Sequence, residues 1–109
     1  SVVADGDVIG EGKTAFTVEV AQLDGTSITF TVNTDKETVG EALLELGVVA
    51  GDTTEYGLYI TTVNGVTLDY NTDGAYWAFY INGEYASTGV DATNIEAGAS
   101  YALKAEKAA

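Results

Sequence analysis

Hydrophobic and polar residues alternate with period two along Thr14–Ala21, so Phe16, Val18 and Val20 share one face and Thr17, Glu19 and Ala21 the other. Asp24–Thr26 is a turn, and alternation resumes with Ile28, Phe30 and Val32 pointing inward. The two runs predict a hairpin with one buried face. The period then changes. Val39, Ala42, Leu43 and Leu46 fall at helical spacing and leave Glu41 and Glu45 on the wet side. Thr34 and Glu37 have capping-box spacing before this stripe, and Gly47 is a natural stop after it. Val48–Gly57 has no period and reads as an irregular connection. Two Asn-Gly pairs, Asn64-Gly65 and Asn82-Gly83, signal tight hairpins. A turn-rich stretch from Thr88 to Ser100 leads to a last strand with Tyr101, Leu103 and Ala105 on one face. The predicted order is β-β-α-β-β-β-β-β. This is an α+β class, with one helix on a mixed or antiparallel sheet of about five to seven strands. Residues 1–13 read as a linker or leader, or at most a short edge strand, 14–106 as the domain and 107–109 as a tail.

Composition narrows the functions open to such a domain. The 109 residues carry 17 acids against 4 lysines, a net charge of −13, with no arginine or histidine. Nucleic-acid backbones and anionic membranes are repelled by that field. Cations, cationic partners and plain solubility fit it. Cysteine is absent, which removes disulfides, thiolate metal sites and Cys nucleophiles. No apolar run is long enough for a membrane span or a signal peptide. The absence of methionine and the opening Ser1–Asp7 read as an excised or mature fragment whose leader has been removed, and the abundance of threonine, glycine and small residues with few basic ones suggests an exported, extracellular or surface-anchored bacterial protein, expected to be a monomer.

Two stretches carry candidate chemistry. In Tyr76–Ile81, Trp77, Phe79 and Ile81 form the core face, and Tyr76, Ala78 and Tyr80 face the other way. Tyr85, across the Asn82-Gly83 turn, is placed to join the tyrosines. Tyr76, Tyr80 and Tyr85 are either cross-strand packing or a stacking platform for a sugar, a peptide or a planar ring. The platform reading gains weight only with Tyr56, Tyr59 or Tyr70 beside it. The second stretch, Asp69–Ala75, matches the first half of a calcium loop. Asp69, Asn71 and Asp73 are spaced to aim oxygens at one centre, and Gly74 permits the turn. The second half fails, because Tyr80 stands where a bidentate Glu is expected. Asp, Asn and Gly are also ordinary turn residues, so a plain turn and a calcium site both remain open. Glu84, Asp52 or Glu55 are candidates to complete the shell.

Catalysis finds little support. Ser27, Ser87 and Ser100 have no histidine to activate them, and none of the four lysines falls in an apolar pattern. The chain reads as a non-enzyme.

The stretch Tyr76-Trp77, the Asn82-Gly83-Glu84 turn, Gly89-Val90 and Ile95–Gly98 before the last strand resembles the transcobalamin-like C-terminal domain found in bacterial surface proteins, many from Gram-positive gut organisms. The resemblance runs over about Thr14–Glu106 and implies a β-grasp-like sheet with one helix. In animal cobalamin carriers such a domain closes over a corrinoid, so a corrinoid is the ligand the resemblance suggests. The expectations are therefore a calcium-binding module, a corrinoid or glycan binder acting through its tyrosines, or an adhesive spacer without a ligand.

Overall fold

The computed structural model describes residues 2–55 and 57–108. The first hairpin forms as the alternation predicts. Strands β2 (Thr14–Ala21) and β3 (Ser27–Thr34) pair antiparallel with Val18 opposite Phe30. The last strand, β9 (Ser100–Lys107), lies parallel to β2, and β7 (Ala75–Ile81) pairs antiparallel with β9. Short strands finish the edges. β1 (Val8–Ile9) runs parallel to β3, and β8 (Glu84–Tyr85) folds back on β7 through the Asn82-Gly83 turn. The six-stranded order is β1-β3-β2-β9-β7-β8. Phe16, Val18, Val20, Phe30, Val32, Tyr101 and Leu103 from its inner face are all buried in one core.

Helix α1 (Val39–Glu45) contributes Val39, Ala42 and Leu43 to that core. Its cap lies four residues later than Thr34. Thr38 Oγ1 accepts from the Glu41 N–H at 3.2 Å and donates to Glu41 Oε1 at 3.1 Å. Thr34 instead ends β3, buried, and its hydroxyl accepts from the Lys36 N–H at 3.0 Å. Two Thr-x-x-Glu spacings compete here, Thr34–Glu37 and Thr38–Glu41. Pairing of Thr34 with Thr14 holds the first in the sheet. Gly47 takes a φ of 73° after the helix, and Val48 N–H closes the end on the Leu43 carbonyl at 2.9 Å.

The expectation of a single sheet is corrected. Val49–Thr54, expected to be irregular, is strand β4, and it pairs with β5 (Gly57–Val63), which pairs in turn with β6 (Val66–Thr67). This second, three-stranded sheet lends Val49, Ile60 and Val63 to the shared core. β4 shows no alternation because only Val49 is buried; the rest of the strand is exposed. Its register shifts between Ala50 and Gly51, where a Cβ on Gly51 would lie 2.0 Å from the Tyr59 carbonyl oxygen. Glycine is therefore required at this bulge.

The N-terminal segment is tied to both sheets. Val3 donates to Asn64 Oδ1 at 2.7 Å and accepts from Asn64 Nδ2 at 3.0 Å, and β1 lines the β3 edge. Among the described residues no helix is long and apolar enough to cross a membrane.

Candidate functional site

The two faces of β7 separate core from surface. Trp77 is 7% exposed and shares a groove with Leu58, Tyr59 and Ile60 of β5, so the indole lies beneath the second sheet. Its Nε1 is buried without a hydrogen-bond partner among the described residues. Tyr76, Ala78 and Tyr80 look the other way, beside Glu106, Lys104 and Ala102 of β9. Ala78 is only 1% exposed on this open face, because tall neighbours cover it.

Those neighbours form one connected group. Tyr80 stands opposite Tyr85 in the ladder, and their rings meet edge to face at 5.5 Å. The Lys104 ammonium lies 4.7 Å from the Tyr80 ring centre. Tyr80 donates its hydroxyl hydrogen to Glu106 Oε2, and Tyr76 donates to Glu106 Oε1 at 3.4 Å. The Tyr80 phenol is pushed up to about 12, first by that hydrogen bond, then by burial and by the carboxylate charge. Tyr76 is also raised, chiefly by burial, with the negative charge of its neighbours adding to it. Glu106 was not singled out from the sequence. It is one of 17 acids and lies on the polar face of the last strand, and only the pairing of that strand with β7 brings it to the tyrosines.

Tyr59 and Tyr70 do lie beside this group. Tyr70 opens helix α2 (Tyr70–Asp73), and its ring centre is 6.4 Å from that of Tyr76 at a tilt of 46°. Tyr59, 45% exposed on β5, faces the same concavity of about 340 Å³ as Tyr70, Tyr76 and Ala108. Tyr56 lies outside the described residues. The strand tyrosines thus continue into a belt that crosses from the first sheet to the second.

The acidic stretch has a different geometry from the expected loop. Asp69 caps α2, its Oδ1 accepting from the N–H groups of Asn71 at 2.8 Å and Thr72 at 3.2 Å. Asp73 Oδ2 accepts from the Asp69 N–H at 2.8 Å. Both carboxylates are engaged with the backbone of the turn they were expected to leave free. Asp52, on β4, joins Asp69 and Asn71 around a second concavity of about 490 Å³ that also includes Tyr59 and Tyr70. Among the described residues no three His, Cys, Asp or Glu side chains converge as a metal would need. One oxygen of each carboxylate is thus already committed to the turn's own backbone.

A family model described as a domain of unknown function, DUF4430, matches residues 36–106. A crystal structure of a protein from Ruminococcus gnavus, provisionally named for metal binding, is 32% identical, covering 89% of this chain and 100% of its own, with a TM-score of 0.83. Haptocorrin in complex with Cbi matches with a TM-score of 0.64 at 19% identity over 88% of this chain. That likeness shows the fold alone, and this chain spans 25% of the haptocorrin chain. No curated protein matches.

Proposed function

The chain belongs to the DUF4430 family, and on that premise we propose that it is a non-catalytic module of an exported bacterial surface protein, binding a small molecule across its tyrosine belt. One observation carries this reading: Tyr59, Tyr70 and Tyr76, from three separate elements, line one concavity. Apolar ring faces with polar tips suit a ligand that is half wet when bound. The central parallel pair β2 and β9, flanked by antiparallel strands, with α1 packed into the same core, supports a β-grasp-like, transcobalamin-like description of the scaffold. Glycans and corrinoids are the ligand classes this belt would be tried on first. The concavity of about 340 Å³ sits near the lower end of small-ligand sites, ~300–1,000 Å³, so it would hold part of a corrinoid rather than enclose one. Titration with neutral oligosaccharides and with cobinamide, followed by amide NMR, tests the reading. Binding of a probe that weakens in Tyr76→Ala supports it. Binding that is indifferent to Tyr59→Ala, Tyr70→Ala and Tyr76→Ala sinks it.

The name of the R. gnavus protein favours a second reading, a divalent cation at Asp69, Asn71 and Asp73. The backbone caps oppose it, since one oxygen of each carboxylate is already held by the turn. Calcium at 100 times its dissociation constant should stabilise by about 2.7 kcal/mol. A melt unmoved by calcium and by chelator removes this reading, and a molecule inert to every probe is left as a spacer.

A further inference from the structure

We infer that the concavity of Tyr59, Tyr70 and Tyr76 selects an organic cation, an alkylated ammonium group held against the ring faces. The inference rests on the tyrosine-belt reading and names its ligand class. An aromatic face attracts a cation within ~6 Å of its centre. The centres of Tyr70 and Tyr76 are 6.4 Å apart and tilted by 46°, so the two rings pack as neighbours, and a single charge seated over the open side of the pair lies within reach of both. Tyr59 adds a third ring from the second sheet.

Three further features favour a positive guest. This same sheet face already seats an ammonium on a tyrosine, Lys104 at 4.7 Å from the Tyr80 ring centre. The Tyr76 hydroxyl donates to Glu106, which draws negative charge to the edge of the site. Asp52 and Asp69 border the adjoining concavity, which shares Tyr59 and Tyr70. Around all of this the chain carries −13. Anions are repelled. A hard metal ion gains nothing from rings, because it requires oxygen ligands in place of its water. A weakly hydrated alkylammonium loses little water and gains the ring faces. About 340 Å³ is room for a group of choline's size.

Choline and its neutral isostere, in which a quaternary carbon replaces the nitrogen, separate charge from shape. Titration of the full chain, followed by amide NMR, should show choline binding roughly two- to thirty-fold tighter than the isostere, the range expected of a cation–π contribution. Tyr70→Ala should weaken choline, and Tyr70→Phe, which keeps the ring face, should retain it. Equal binding of choline and isostere overturns the inference, as does choline binding that ignores Tyr70→Ala. If choline fails while cobinamide or an oligosaccharide binds in a Tyr76-dependent manner, the inference falls and the belt reading stands. If no probe depends on the three tyrosines, both fall.

Discussion

Replacing Glu106 with glutamine removes a charge from the centre of the tyrosine face and keeps the shape. Glu106 accepts from both Tyr76 and Tyr80, and the Tyr80 hydrogen bond is the largest cause of a phenol pushed up to about 12. An ordinary tyrosine titrates near 10. At pH about 11, Tyr80 in the parent should be about one-tenth ionised, whereas a phenol returned to its ordinary value would be about nine-tenths ionised. Burial also raises Tyr80 and remains in the variant, so Glu106→Gln should bring it only part of the way down. The sign for stability follows from the raised folded value. The neutral phenol is the form the fold favours, so this contribution is whole below pH about 10 and is lost as pH rises toward about 12. Glu106→Gln should flatten that alkaline loss. Near-ultraviolet titration of tyrosinate, with ring NMR to assign the late phenol, reads both effects. The reasoning is refuted if Tyr80 ionises with the exposed tyrosines in the parent, or if Glu106→Gln leaves a late titration unchanged.

Other perturbations test the scaffold. Thr38→Ala removes the side-chain cap of α1 and should cost about 1 kcal/mol, a fall of roughly 4–8 °C in the melting temperature; Thr34→Val, which leaves Thr38 in place, should not release the helix start, as amide exchange at Glu41 would report. Gly51→Ala forces a Cβ into the Tyr59 carbonyl and should cost ~1–3 kcal/mol by thermal melt. It should also displace the Tyr59 ring, visible as a shifted ring resonance while those of Tyr80 and Tyr85 stay in place. Asp73→Ala removes the acceptor for the Asp69 N–H and should loosen α2 in the absence of any metal, read as faster amide exchange at Asp69.

The parts of the fold legible in the sequence were those whose period met a buried face. β2, β3 and the stripe of α1 alternate against one core, and the two Asn-Gly turns sit at φ of 48° and 50° for Asn64 and Asn82, as such turns demand. β4 was illegible because it is held by pairing with β5 rather than by burial. The split of Tyr76 and Tyr80 from Trp77 across β7 followed from strand alternation. The partnership with Tyr59 and Tyr70 did not, since it depends on how a second sheet lies against the first. The Asp-Asn-Asp spacing suggested metal ligands, yet Asp69 caps a single helical turn and Asp73 accepts from the Asp69 N–H, and spacing alone does not distinguish the two.

The account turns on where a small ligand meets the surface. Ring-selective carbon labelling of the seven tyrosines, followed by NMR during a choline titration, reports on the belt and on buried Tyr101 as an internal control. The account predicts that the resonances of Tyr59, Tyr70 and Tyr76 move together and saturate while Tyr101 stays still. Saturable shifts confined to tyrosines outside that concavity, or none at all with every probe, contradict it.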